Sequence, residues 1–356
     1  MDTTQIAAYQ MPFGMASIGI DVGHSAVKIA ASMLHAPHLA QRWTDTIKSV
    51  VMPAVELTET DSARDALRDT VTVNGQKYYV GDTALTQSQP VNFSGEARDW
   101  IATTTHDALI TAAYQRALAG IGVEPRVIHL ALGLPTAFFA SQKESLKARV
   151  TALLLPLMMP GQRLEIIVAA QSTLPIKNRQ HCDDGTPDPM YSPATHSYAV
   201  IDVGHFTSDF SVLLGRQYLE IGGDSVAGAN GVYSALRAKF NALDYGTGLG
   251  VVNSAMTTGF VRQYGELVDV RDLRDAAIQP LRDAIVNRAQ SIIGPHVREL
   301  NQVIVTGGIA PLVVDAVKAI FPRNTVLDDA PLMNVAEGLC RFGLFAHRAW
   351  ASRYAQ

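Results

Sequence analysis

The sequence is poor in cysteine. Its 356 residues include two, Cys182 and Cys340, and these are too far apart to form a C-x-x-C pair. Two isolated thiols exclude a disulfide framework and argue against a thiolate zinc site, which needs three or four ligands. We therefore expect a protein of a reducing compartment, most simply the cytoplasm.

Long apolar runs and an excess of basic residues are also missing. No stretch approaches the roughly 18 apolar residues of a membrane span, and the first 15 residues lack the basic start and apolar centre of a signal peptide. That tail also lacks the charge and periodicity of an amphipathic anchor. The net charge of −4 argues against direct binding to nucleic acid. We expect no membrane contact, and contact with DNA only through an adaptor protein.

The sequence does contain enough apolar material for large cores. The chain is 47% hydrophobic. Because a single core stops growing at roughly 250–300 residues, its length predicts two domains.

A repeated pentapeptide, IDVGH, is the most informative feature. Its two aspartates are Asp21 and Asp202, 202 − 21 = 181 residues apart, about half the length of the chain. Each copy lies between alternating apolar residues, a pattern that predicts strand, glycine turn and strand. The repetition suggests two related halves that face each other.

Such a hairpin offers two kinds of contact. Backbone N–H groups around the glycine can surround a phosphate, because no side chain blocks its approach. The aspartate can hold hydrated Mg²⁺, which prefers oxygen ligands. Two facing hairpins could therefore clamp the phosphates of one nucleotide, and Lys28 carries the charge to meet a phosphate oxygen.

The remaining patterns alternate between strands and helices, which predicts α/β halves with mixed sheets. Asn74-Gly75 between alternating residues predicts a tight hairpin. We expect a loop near the cleft at residues 178–197. Strands are predicted at 128–136, 164–173, 217–221 and 302–308, and helices at 104–119, 140–154, 230–240, 270–293 and 311–321.

Five short motifs, in order, resemble those of the actin, heat-shock chaperone and sugar-kinase superfamily of ATPases. They are IGIDVGHSAVKIA, LEIIVAAQSTLPI, AVIDVGHFTSDFSV, VIVTGGIAPLV and NVAEGLCRFGL. The likeness is strongest to ParM/StbA-type plasmid segregation proteins, which have similar stretches to VNGQKYYVGDTA and EIGGDSVAGANGVYSAL.

The resemblance implies an actin-like, ribonuclease H-like α/β fold, duplicated into two domains with a nucleotide cleft between them. The first domain would cover 15–190 with 335–356, including a small subdomain at about 33–95. The second would cover 195–334, with a small subdomain at about 225–300, and residues 1–14 would form a tail. The implied function is an ATPase that forms filaments and segregates plasmid DNA through a DNA-bound adaptor.

The resemblance also implies roles for individual residues. Asp21 and Asp202 would organise Mg²⁺, and Gln171 would orient the attacking water, because a glutamine cannot act as a base. Asp202 or Asp209 would assist hydrolysis, and the sequence does not separate the two. Contacts to ATP or ADP, with GTP possible, would come from Asp21, Gly23, His24, Ser25, Lys28, Gly204, His205, Thr207, Asp224, Gly228, Gly307 and Gly308, and Ser208 could also donate to phosphate.

Two matters stay open in the sequence. The histidines after each glycine, His24 and His205, depart from the small or polar residues usual there. We expect their backbone N–H groups to act and their rings to lie outside the cleft. A small-molecule kinase of the sugar-kinase branch is the alternative function, with Asp202 or Asp209 as its base.

Overall fold

The structure is a computed structural model, and it describes residues 14–36, 39–87, 100–122, 124–192, 194–219 and 224–354. Its strands are β1 (Met15–Val22), β2 (Ala26–Ala36), β3 (Leu39–Lys48), β4 (Val51–Pro53), β5 (Thr70–Val73), β6 (Gln76–Val80), β7 (Val127–Leu134), β8 (Arg163–Ala170), β9 (Tyr198–Val203), β10 (Thr207–Leu214), β11 (Gln217–Tyr218), β12 (Asp224–Ala227), β13 (Phe260–Gln263), β14 (Glu266–Asp269), β15 (Gln302–Thr306) and β16 (Thr325–Leu327). Its helices are α1 (Thr60–Ala66), α2 (Gly81–Gln87), α3 (Thr104–Ile121), α4 (Thr136–Leu154), α5 (Leu174–Gln180), α6 (Asn230–Ala242), α7 (Leu249–Thr258), α8 (Arg271–Ile292), α9 (Val314–Ile320) and α10 (Asn334–Tyr354).

Two mixed sheets have the same strand order. The first runs β3-β2-β1-β7-β8, and the second runs β11-β10-β9-β15-β16, with β12 also paired to β10. In each, an antiparallel hairpin that carries one pentapeptide is followed by two parallel strands. The duplicated α/β architecture predicted from the repeat is confirmed.

Each sheet has its own apolar core. One core packs α3 and α4 against the first sheet, around Ile18, Ile29 and Leu109. The other packs α6 and α8 against the second sheet, around Ile201, Phe210 and Ile278. Burying alternate strand residues under amphipathic helices supplies most of the driving force for such layers.

A third sheet, β4-β6-β5, extends the first half. Its Asn74-Gly75 turn has positive φ at both residues, which confirms the predicted tight hairpin. This separate sheet begins at Val51, later than the predicted start of the inserted subdomain near residue 33, because β2 and β3 still belong to the main sheet.

The predicted helices and strands are present, with shifted ends. The structure adds elements that we did not predict, among them α5, α7, α10 and the β13–β14 hairpin, which turns at Tyr264 and Gly265. The predicted strand at 217–221 is described only as the two residues of β11, because 220–223 lie outside the described residues, as do residues 1–13 of the tail.

The segment predicted to be a loop at 178–197 begins inside α5. It is fastened to α10, where Arg341 binds Asp183 at 2.6 Å and Arg348 binds Asp184 at 3.2 Å. None of its described residues lines the cavity between the two sheets, although Asn178 donates to Asn334 at the base of the cleft. Of the helices listed above, none combines the length and apolarity needed to cross a membrane.

Candidate nucleotide site

A cavity of about 390 Å³ lies between the two sheets. This volume is within the range of small-molecule sites. Both pentapeptide turns line it. The predicted site residues that the cavity brings together are Asp21, Gly23, His24, Ser25, Lys28, Gln171, Asp202, Gly204, His205, Thr207, Asp209, Gly307 and Gly308.

The second turn is held from behind by the start of α6. Backbone N–H groups of residues 228, 229 and 230 donate to the carbonyls of Phe206, Gly204 and His205, at 2.8, 3.0 and 2.7 Å. In a trans peptide the C=O and the following N–H point in opposite directions. The N–H groups of His205 and Phe206 are therefore directed away from α6, on the cleft side, where they can meet an anion.

The first turn is held by Ser49, a residue we did not predict. Its hydroxyl donates to the carbonyl of Gly23 at 2.5 Å, and its N–H donates to the carbonyl of Ser25 at 3.2 Å. By the same geometry, the N–H of His24 faces away from Ser49. The only sequence signal for Ser49 is its place directly after β3.

The carboxylate of Asp21 is enclosed and engaged at both oxygens. Its side chain is 8% exposed, Lys28 Nζ lies 3.0 Å from Oδ2, and the Nε2 of Gln171 donates to Oδ1 at 2.7 Å. Because the amide nitrogen is bound to Asp21, the Oε1 of Gln171 is the atom left to accept from a water. The three side chains form one chain of contacts across the first sheet.

Asp202 occupies the same place in the second turn but faces another carboxylate. Asp209 lies directly opposite it in the β9–β10 register, where the first turn has Lys28 opposite Asp21. Burial and the charges of Asp209 and Asp21 raise the pKa of Asp202 to about 7. Burial also raises the pKa of Asp209, although Thr207 donates to it at 3.0 Å. A cation bound between Asp202 and Asp209 would neutralise this repulsion.

The glycine pair after β15 contacts the second turn unequally. Gly307 has a φ of +98°, and a Cβ there would lie 2.4 Å from the carbonyl oxygen of Val203 and 2.6 Å from Oδ1 of Asp202. A Cβ on Gly308 would meet only Leu332, at 3.7 Å. Glycine is therefore required at position 307, where the backbone packs closely against the second turn, and it is not required at position 308.

A glycine within β7 makes room for Gln171. A Cβ on Gly133 would lie 2.8 Å from Cγ of Gln171, so any larger residue would displace the amide. We did not predict this role. An isolated glycine in the buried run IHLALGLPT was the available signal, because glycine inside a strand marks a close approach.

Both histidine rings line the cavity, contrary to the expectation that they lie outside it. His24 stacks on Trp100 with centroids 4.8 Å apart and meets the edge of Phe206 at 4.6 Å. His205 lies 4.8 Å from Phe206 and 5.4 Å from Tyr233. Burial lowers the pKa of His24, and lowers that of His205 to about 4, so both rings are neutral near pH 7.

Three predicted contacts lie away from the cavity. Asp224 pairs with Arg288, and Ser208, on the opposite face of β10 from Thr207, donates to the carbonyl of Ala227 at 3.3 Å. Gly228 packs behind the second turn, where a Cβ would lie 2.6 Å from the Gly204 oxygen. Of the described residues that line the cavity, none is Asp224, Ser208 or Gly228, so their predicted contact with nucleotide is not supported.

Part of the chain matches a known protein family. Residues 19–163 match a family described as "Actin like proteins N terminal domain". The fold is actin-like. Among curated protein sequences, none matches this chain.

Solved structures agree on the actin-like fold at low sequence identity. The chain is similar to a 15-stranded ParM filament from Clostridium botulinum, with 17% identity, a TM-score of 0.69, and coverage of 93% of this chain and 99% of that one. It is similar to the actin-like protein Alp7A, with 13% identity, a TM-score of 0.69, and coverage of 96% and 100%. It is also similar to Ta0583, an archaeal actin homolog in complex with ADP, with 17% identity, a TM-score of 0.62, and coverage of 94% and 100%.

Proposed function

We propose that this actin-like protein binds and hydrolyses ATP in the cleft, with GTP as a possible substitute. The nucleotide state would control assembly into filaments, and a DNA-bound adaptor would couple the filaments to plasmid DNA. The resemblance to ParM/StbA-type proteins and the likeness to a ParM filament support assembly. An ADP complex of a similar fold supports a nucleotide as the ligand.

One observation supports the proposed hydrolysis of ATP. Gln171 is held on Asp21 at 2.7 Å, and both residues line the same cavity as Asp202 and the two turns. A triphosphate held by the N–H groups of both turns would bring its terminal phosphate beside the Gln171 amide oxygen. Positioning a water there is the main task of a hydrolase, because phosphoryl transfer depends on alignment and charge stabilisation.

The carboxylates also fit Mg²⁺. Within the described residues, no cluster of three His, Cys, Asp or Glu side chains could hold a metal ion directly. Mg²⁺ bound with a nucleotide needs one or two carboxylates, with phosphates and waters completing its shell. The facing carboxylates of Asp202 and Asp209 supply negative charge that a cation would neutralise, and Asp21 would contribute through water. The metal would supply charge neutralisation of the phosphates.

We also propose the two domains predicted from the sequence, 15–190 with 335–356 and 195–334. The packing of α10 on β1 and β7 supports the return of the chain to the first domain. A buried set of hydrogen bonds at the base of the cleft supports a hinge there. Asn178 donates to Asn334 at 2.9 Å, Asn334 donates to Thr306 at 3.2 Å, and Ser211 donates to the carbonyl of Ser172 at 3.0 Å.

The test is sedimentation of the purified protein with Mg²⁺ and ATP, ADP, GTP or no nucleotide, with phosphate release measured in the same samples. We expect ATP-dependent pelleting above a critical concentration, with phosphate released without any added acceptor. Gln171→Ala is the matched variant, expected to pellet with ATP and release phosphate slowly. Release that begins only when a small-molecule acceptor is added would replace this proposal with the kinase.

A plasmid role needs a second test. DNA that carries the chain's own partition locus, together with its adaptor, should change filament length or lifetime, whereas DNA alone should have no effect. Direct binding of DNA by the protein without the adaptor would contradict the proposal.

A further inference from the structure

The tips of the two turns touch through aromatic rings. His24 follows the glycine of the first turn, Phe206 lies in the second, and their centroids are 4.6 Å apart at an interplanar angle of 89°. Such edge-to-face geometry is favourable between rings. This contact joins the two halves directly at the cleft.

The contact belongs to a longer row. On the side of the first half, Trp100 stacks on His24 with an interplanar angle of 28°, and the ring of His106 meets Trp100 at 5.8 Å. On the side of the second half, Phe206 meets His205, and His205 meets Tyr233 at the start of α6. We call Trp100, His24, Phe206, His205 and Tyr233 the ring clasp.

Each end of the ring clasp is anchored on a buried element. Tyr233 lies in the first turn of α6, the helix whose N–H groups hold the second phosphate turn. Trp100 lies four residues before the start of α3, the helix packed beneath β1 and β2. The row therefore links the start of α6 with the residues before α3. It crosses the cleft where the two turns have the N–H groups that can bind phosphate.

Ring packing, rather than a hydrogen bond, holds His24. Among the described residues, its Nε2 is buried without a hydrogen-bond partner, while Trp100 and Phe206 cover the ring. Its lowered pKa keeps the ring neutral, which suits stacking on an indole. The small residues that are usual after this glycine could not make these contacts.

We propose that the ring clasp sets the spacing of the two phosphate turns, and that His24 and Phe206 are positioning residues for the nucleotide. The inference rests on the proposed function and deepens it. The clasp acts before chemistry, by holding both sets of N–H groups at the distance that one polyphosphate can bridge. Preorganisation of this kind improves affinity by reducing the ordering required on binding.

The experiment measures KM and kcat for phosphate release, and the binding of ATP by titration, for variants of His24. His24→Phe keeps a ring between Trp100 and Phe206, whereas His24→Gln keeps a polar group and loses the ring. We expect His24→Gln and His24→Ala to raise the KM for ATP about tenfold with kcat within about threefold, because two ring contacts are lost. His24→Phe should stay near wild type.

A double-mutant cycle sharpens the test. Phe206→Ala should resemble His24→Ala, and the double variant should lose little more than either single one, because both remove the same contact. His181→Ala is the matched control, since His181 also packs on a phenylalanine, Phe345, at 4.5 Å, but does not line the cleft. It should keep the wild-type KM.

Trp100 provides a readout that does not depend on turnover. With Trp43 and Trp350 replaced by Phe, the fluorescence emission comes from Trp100 alone and depends on its stacking with His24. We expect the emission to rise in His24→Ala and to change when ATP is added to the protein with His24 intact. Equal melting temperatures among the variants would exclude a general folding defect.

Each contrary result has a distinct meaning. If His24→Phe loses affinity and His24→Gln keeps it, the imidazole contacts the nucleotide as a polar group, and the clasp is wrong. If His24→Ala and Phe206→Ala keep the wild-type KM, the clasp alone is overturned. A wild type that binds no nucleotide would overturn the proposed function, and the clasp with it.

Discussion

Asp21 and Asp202 stand at the same position of one pentapeptide, yet their surroundings are opposite in charge. Opposite Asp21 on the neighbouring strand is Lys28, and opposite Asp202 is Asp209. In the first turn, Lys28 compensates the charge of Asp21, and the Asp21 carboxylate also accepts a hydrogen bond from Gln171. The second turn has no such compensation, and burial together with the charges of Asp209 and Asp21 raises the pKa of Asp202 to about 7.

The difference shows how a duplicated hairpin acquires two tasks. A lysine opposite the aspartate makes a rigid polar support, because a partly buried ion pair fixes both side chains. A carboxylate opposite the aspartate makes a site that is stable only when a proton or a cation neutralises it. Under the proposed function, the first turn would orient the attacking water and the second would bind the cation.

The largest expected effect is on the first turn. Asp21→Asn should lower phosphate release about 100-fold, because Lys28 and Gln171 donate to different oxygens of Asp21, and the N–H₂ that replaces one oxygen would face one of these donors. Multiple-turnover phosphate release at saturating ATP measures this, with Asp188→Asn, a half-buried aspartate that does not line the cavity, as the control. A rate within threefold of wild type would show that Gln171 does not depend on Asp21.

A smaller loss is expected where Gly307 packs against the second turn. Gly307→Ala should destabilise the protein by roughly 2–4 kcal/mol, through its positive φ and the collision with Val203 and Asp202. Gly308→Ala should cost less than about 0.5 kcal/mol, because only Leu332 lies near, at ordinary contact distance. Urea unfolding compares the two, and equal losses would contradict this account.

The third prediction concerns pH. The folded-state pKa of Asp202, about 7, lies above the value of an unfolded aspartate, about 3.9. Its contribution to stability is therefore complete below about pH 4 and is lost as the pH rises through 7. Without Mg²⁺, the free energy of unfolding should fall by roughly 2–3 kcal/mol between pH 5 and 8 from this group.

Asp209→Asn should reduce that fall, because it removes the facing charge, and Mg²⁺ with nucleotide should reduce it in the wild type. Chemical denaturation at several pH values, with chelator or with Mg²⁺ and ATP, measures both effects. A fall that is the same in Asp209→Asn and wild type would mean that the two carboxylates do not interact.

The smallest expected effect concerns Thr207, which donates to Asp209 at 3.0 Å. Thr207→Val should lower the free energy of unfolding at pH 8 by roughly 0.5–1 kcal/mol, because the carboxylate loses one donor. Thr207→Ser keeps the hydroxyl and should stay near wild type. The same denaturation series checks this, and a loss in Thr207→Ser equal to that in Thr207→Val would point to the lost methyl group instead.

Local signals were sufficient for much of the fold. Alternating residues around the two turns predicted both hairpins, and Asn74-Gly75 predicted its tight turn, because these depend on neighbours in sequence. The helix α7 was missed, since LGVVNSAMTT has no polar cap, and its packing comes from residues outside the helix such as Val270. The row of rings was also beyond sequence reasoning, because Trp100 and Tyr233 meet His24 and His205 only after folding.

The sequence by itself determined the repeat, and with it the duplicated sheets, the two turns and half of the residues that line the cleft. Backbone preferences and alternation act over a few residues, so they can be read directly. Only the tertiary structure decided that Asp21 faces Lys28 and Gln171 while Asp202 faces Asp209, and that Asp224 and Gly228 lie outside the cavity. Charge compensation and burial depend on strand register and on contacts between distant segments, which no local pattern specifies.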